Sequence, residues 1–226
     1  MWTVSTLSYA AQVSVTSYHH GNLRAALVET GLAMARESGP DGVALREVAR
    51  RVGVSHNAAY RHFADREALL GEIAQVGMQR LTEAMHQRMA EVVPGLDAVA
   101  RAQARLRAVG RAYVEFALAE PGLFRTAFSA LAHASPVEPA GTAEEDQGPY
   151  ALLNTVLDEL VEAGHLAPER RPSADVTCWA GVHGIAVLHL DGPLAGAPEA
   201  EREATMVRFF DIVERGLGGG PGGGPG

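Results

Sequence analysis

Apolar residues recur at three- and four-residue intervals along nearly the whole chain, and no convincing alternating stretch interrupts them. That period suits helices and leaves little room for a sheet, so the expected fold class is all-α. The register is plainest at Leu45, Val48, Ala49 and Val52, spaced i, i+3, i+4, i+7 and stopped by Gly53. Leu23, Ala26, Leu27, Thr30 and Met34 form an earlier stripe, which the breaker Ser-Gly-Pro-Asp-Gly at 38–42 ends. Ser55 can cap a very short helix reaching about His62. Asp65 can cap a long fourth helix, with Glu67 placed favourably in its first turn, that runs through Leu69, Ile73, Leu81, Met85 and Met89 to a break at 92–95.

Downstream, Leu106, Val109, Tyr113, Phe116 and Ala117 mark a helix that breaks at Glu-Pro-Gly (120–122), with a short piece after it. Leu152, Leu153, Val156, Leu157 and Leu160 predict an amphipathic helix up to Gly164. Two more apolar helices are expected near 173–191 and 199–217. Nine helices result, the first three short, with no internal repeat. Residues 1–17 carry no Lys or Arg and read as a disordered leader rather than a secretory signal. Residues 133–148 read as a polar, Pro-containing connector, and the Gly/Pro tail at 218–226 as disordered. The expected division is a three-helix head at 18–65 and a six-helix body at 66–217.

A chain of 226 residues with 47% apolar content can bury a proper core. No apolar run approaches the 18 residues or so that a membrane span needs, so no membrane partner is expected. The single Cys178 cannot form an internal disulfide, which fits a reducing cytoplasm. Net charge is −8, which at first argues against a polyanionic partner. The distribution points the other way. Residues 18–66 hold seven Arg against five acids, and nothing before them is charged, so a +2 head sits on a −10 body. The chain has no lysine, so every fixed positive side chain is a guanidinium.

Residues 45–63 form a unit of helix, tight turn at Gly53 and second helix, with small Ala49 four residues before the glycine. This is a helix-turn-helix pattern, whose second helix enters the major groove of DNA. Ser55, His56, Asn57 and Arg61 have tips that can read base edges or phosphates, while Ala58 and Ala59 allow close backbone approach and contact with a thymine methyl. Tyr60 and His62 can donate to phosphate oxygens. Arg66 lies at a helix start that already favours a phosphate. Phe63 is expected in the core, and Tyr60 pointing outward.

The stretch Leu-Arg-Glu-Val-Ala-Arg-Arg-Val-Gly-Val-Ser-His-Asn-Ala-Ala-Tyr-Arg-His-Phe-Ala-Asp-Arg-Glu-Ala-Leu-Leu (45–70) resembles the DNA-binding domain of the tetracycline-repressor (TetR) family of bacterial regulators. The resemblance implies that Arg46 reaches a base or phosphate, that His56, Asn57, Ala58 and Tyr60 face the groove, and that His62 and Arg66 contact phosphate. One departure is Arg66, where the family usually has Lys. "YHHGNLRAAL" (18–27) and "CWAGVHG" (178–184) resemble a subgroup whose C-terminal domain carries a Trp-His-Gly signature, here Trp179, His183 and Gly184.

The family also implies a dimer through its last two helices, which here points to Leu188, Phe209, Phe210 and Val213. A single head contacts too few bases to be specific in a genome, so a two-fold dimer on double-stranded, palindromic operator DNA is expected. Met85, Met89, Tyr113, Phe116, Phe124, Phe128, Trp179 and His183 are candidates to line a cavity for a small, apolar effector; core packing serves each of them equally well. Gly181 and Gly184 suggest close helix approach on their face. His19 and His20 have no third ligand at a metal spacing, and no nucleophile–base set or carboxylate pair assembles. No metal, cofactor or catalysis is therefore expected. The reading is a repressor released by an effector; an activator or regulator whose body takes a partner protein, and an enzyme with an incidental helix-turn-helix, are the alternatives.

Overall fold

The computed structural model describes residues 23–133 and 148–218, so the leader, most of the connector, His19 and His20, and the tail beyond Gly218 lie outside the described residues. Those residues hold nine α-helices and no strand. They are α1 (Leu23–Ser38), α2 (Leu45–Val52), α3 (His56–Tyr60), α4 (Arg66–Ala90), α5 (Ala98–Ala119), α6 (Pro121–His133), α7 (Pro149–Glu162), α8 (Ala174–Leu190) and α9 (Glu199–Gly218). Among the described residues no helix is long and apolar enough to cross a membrane.

Local chemistry explains most boundaries. Gly53 sits at φ 82°, ψ 27°, and its N–H and that of Val54 return to the carbonyls of Arg50 and Ala49, which closes α2. Ser55 Oγ accepts the Ala58 N–H at 3.3 Å and starts α3. Asp65 caps α4 through the Ala68 N–H at 2.7 Å, and Asp97 caps α5 in the same way. The short piece expected after 122 is instead a 13-residue helix. Pro121 stands at its first position, where a missing N–H costs nothing, so the Glu-Pro-Gly that ends α5 also begins α6.

One connected apolar cluster runs from Leu23 in α1 to Leu217 in α9. α4 packs on α5 and α6, and Gly77 admits Leu123 and Ala127 of α6, which lie 3.2 Å from where its Cβ would be. α9 lies against α5 and α8: the Phe210 ring fills the space over Gly110, and the Phe209 ring that over Gly181. Gly184 meets nothing within 4 Å among the described residues, whereas the close approach expected of this face occurs at Gly181. Arg107 to Glu214 and Asp211, and Arg111 to Glu203, tie α5 to α9.

Candidate functional site

The turn at Gly53 aims α3 outward along one edge. Ser55, His56, Asn57, Tyr60 and Arg61 are exposed, with Arg46 of α2 exposed nearby in sequence, while His62 and Ala58 are half-buried. His56 and Tyr60, one helical turn apart, meet edge to face with centroids 5.8 Å apart, so each restricts the other's rotation. Two alanines that looked equivalent divide: Ala59 is wholly buried and Ala58 packs partly on the core. Ala59 and Phe63, four apart, form the inward face, which leaves 56, 57, 60 and 61 as the outward one. α3 is shorter than expected, and Arg61 and His62 continue it as a turn through the His62 and Phe63 N–H bonds to Ala59 O.

The arginines behave unequally. Among the described residues Arg46 and Arg61 make no ion pair. Arg50 forks onto Glu47 at 2.8 and 2.7 Å, and Arg51 reaches Glu47 and Glu37. The Arg50 guanidinium, with Arg51 behind it, pulls the Glu47 carboxyl down to about 2. Arg66 Nε donates to the Val43 carbonyl at 2.8 Å, one terminal nitrogen to that of Pro40 at 2.5 Å and the other to the Glu67 carboxylate at 3.2 Å, so the guanidinium lies against the turn between α1 and α2.

In the body, Tyr113, Phe124, Phe128, Trp179 and His183 come together. The Phe124–Phe128 centroids are 4.7 Å apart and the Phe128–His183 centroids 5.0 Å. Trp179 Nε1–H donates to Tyr113 Oη at 3.3 Å, and Tyr113 Oη shares a hydrogen bond with His183 Nδ1 at 2.8 Å. Tyr150 joins the group edge-on to Trp179 and bonds Asp175. Sequence reasoning missed it; an aromatic opening an amphipathic helix was its only signal. Met85, Met89 and Phe116 lie outside this ring group but in the same core cluster that holds Tyr113 and Phe124. Two shallow depressions of about 310 and 210 Å³ lie elsewhere, against Arg107 and its neighbours on α5.

Burial lowers the His183 pKa below its ordinary 6.5 and pushes that of Tyr113 well above its own. The unfolded chain takes up a proton at His183 near 6.5 where the folded protein resists it. Stability from this group is therefore complete above 6.5 and is lost as pH falls through the lowered folded value. Denaturant midpoints should drop between pH 7.5 and 5.5, and His183→Phe should shrink that drop. An unchanged drop would show that other groups cause it.

The expected dimer residues also divide. Leu188 is 41% exposed and Phe209 half-buried, but Phe210 is 5% exposed and packs on Val114 and Met206, and Val213 is partly buried on the main core. Phe210 thus belongs to the protomer's interior. The exposed large apolar side chains of these two helices are Leu188 with Val176, Trp179 and Val187 on α8, and Val207 and Ile212 on α9; the two valines of α8 and both residues of α9 are ones that helical periodicity did not single out.

Fold and site together define an all-helical DNA-binding regulator of the helix-turn-helix class. A model of the tetR family of bacterial regulatory proteins matches residues 27–73, and one of the tetracyclin repressor-like C-terminal domain matches residues 106–211. A Rhodococcus sp. RHA1 protein described as of unknown function is 33% identical, with a TM-score of 0.70, covering 90% of this chain and 99% of its own. A TetR-family transcriptional regulator from Pectobacterium atrosepticum (23% identical, TM-score 0.61, 92% and 100% covered) and PfmR from Thermus thermophilus (20%, 0.56, 86% and 96%) share the fold. The comparison with curated proteins gives no match. The chain belongs to the TetR family.

Proposed function

We propose that the chain acts in the cytoplasm as a dimeric repressor, released from a palindromic operator by a small apolar effector. The outward face of α3 carries the reading: His56, Asn57, Tyr60 and Arg61 stand clear on a helix that Ser55 caps and on the turn after it. Arg46, Ser55 and Ala58 border that face, and His62 closes it. The head at 18–65 reads DNA and the body at 66–217 joins the copies and takes the effector. The exposed apolar side chains on α8 and α9 support a two-fold pair, whose heads meet half-sites a helical turn or more apart. An effector displacing rings of the Phe128–Trp179–His183 group would shift α4 and change head separation. Such coupling is about 1–3 kcal/mol. This function requires no cofactor or catalytic group.

Selection of duplexes by the intact protein, with sedimentation, tests this: palindromic winners and a dimer are expected, and a monomer with no preferred duplex would refute it. On the selected duplex, Arg61→Ala should alter base preference or lower affinity. Tyr60→Phe, which removes only a hydroxyl donor, should weaken all duplexes alike. A Tyr60→Phe effect confined to one sequence would assign Tyr60 to base reading.

A second reading has its own support. The rings of the body cluster already touch one another, and a closed body suits a regulator whose C-terminal domain takes a partner protein. Operator binding that never responds to a diverse metabolite and drug screen, but responds to a co-purifying protein, would favour it.

A further inference from the structure

Three contacts converge on residues 35–43, which close α1 and lead into α2. From α4, Arg66 forks onto the carbonyls of Val43 and Pro40. From the α5–α6 junction, Glu120 accepts two parallel bonds from Arg36 at 2.9 and 2.7 Å. Between them Gly122 lies so near the end of α1 that a Cβ there would collide with the carbonyl oxygen of Ala35 and stand 2.7 Å from that of Arg36. The negative end of the α1 dipole therefore meets the positive start of α6. The next residue along α1, Glu37, holds Arg51 of α2 at 3.2 Å.

Stability alone is a poor reason for this arrangement, since exposed ion pairs contribute only about 0–1 kcal/mol. What the contacts share is geometry: α4 and α6 grip one turn from two sides. α6 is also the helix that carries Phe124 and Phe128 into the body cluster, and its Arg125 bonds Asp191 at the end of α8. α6 thus joins that ring group to the end of α1.

We propose that residues 35–43 are where the body sets the pose of the reading helix, with Arg66 and Glu120 as positioning residues that touch no DNA. The arginine matters here, because a guanidinium fork reaches two carbonyls in fixed directions and an ammonium does not. This inference rests on the head reading duplex DNA.

The test measures affinity for the duplex selected by the wild-type protein, over a series of salt concentrations. Glu120→Gln removes a negative charge, so charge repulsion alone predicts equal or tighter binding; positioning predicts a loss of about tenfold. Exchanging the pair, Arg36→Glu with Glu120→Arg, should restore affinity. Arg66→Gln should weaken binding with an unchanged salt slope, and Arg66→Lys should restore little. A slope reduced by about one in Arg66→Gln, with full rescue by Lys, would make Arg66 a phosphate contact. That result, or Glu120→Gln binding as well as wild type, overturns the proposal. Should Arg66→Gln fail to fold, the Glu120 series decides alone. A wild-type protein that selects no duplex removes the DNA reading itself, and this inference with it.

Discussion

Phe210→Asp is expected to unfold the protein, whereas Leu188→Asp should leave it folded and, on the proposed two-fold pairing, yield a monomer. Phe210 is 5% exposed, and its ring covers Gly110 and touches Val114 and Met206. Truncating such a ring costs about 3–5 kcal/mol through lost burial and the cavity left behind. An unpaired carboxylate in the same place adds several more. Against a total stability of about 5–15 kcal/mol, little folded protein should remain. Leu188 is already 41% exposed, so its aspartate would meet water and change protomer stability by about 0.5 kcal/mol or less. In a two-fold interface, however, two such charges would be buried at once. Urea unfolding and sedimentation separate the cases. A folded Phe210→Asp protein would contradict the buried placement, and a dimeric Leu188→Asp protein would move the proposed interface away from Leu188.

That pair also shows where the sequence stops informing. α8 is apolar around most of its circumference, so periodicity cannot tell which side meets the protomer and which meets a second copy. On α9 the inward residues Met206, Phe210, Glu214 and Leu217 emerge only once Gly110 of α5 accepts Phe210. The head was far more legible, because its determinants are local. The Gly53 stop, the Ser55 and Asp65 caps and the spacing of Leu45, Val48 and Ala49 need no distant partner to be understood. Legibility ended there where long side chains choose between partners. A guanidinium at residue 66 is equally suited to a phosphate or to a carbonyl, and nothing in the local sequence announces that Pro40 and Val43 lie within reach. Five of the eight aromatic, histidine and sulfur-bearing effector candidates met in space, but spacing alone could not separate them from Met85, Met89 and Phe116.

Phe63→Ala is expected to dissolve the reading surface while the body stays folded. Phe63 is 2% exposed, its N–H bonds Ala59 O at 3.1 Å, and the Arg24 guanidinium lies 5.1 Å from its ring centroid. Loss of the ring costs about 3–5 kcal/mol, and the lost cation–π contact about 0.5–1 more at an exposed guanidinium. Arg24 also pairs with Glu72 at 2.6 Å, but at half-exposed ends that bond adds little. The loss falls on the weakest element of the chain. α3 has five residues, far too few to persist without tertiary support, so it depends on the floor that Ala59 and Phe63 provide. Local opening should therefore reach residues 45–63 before it reaches α5 or α7, whose buried faces do not include Phe63. Hydrogen exchange should show protection lost across 45–63 and kept in α5 and α7, with selected-duplex binding abolished. Tyr60→Phe, altering an exposed tip on the same helix, should keep both protection patterns. Uniform loss of protection in Phe63→Ala would mean that the head cannot open without the body, and the continuous core running from Leu23 to Leu217 would then act as one cooperative unit.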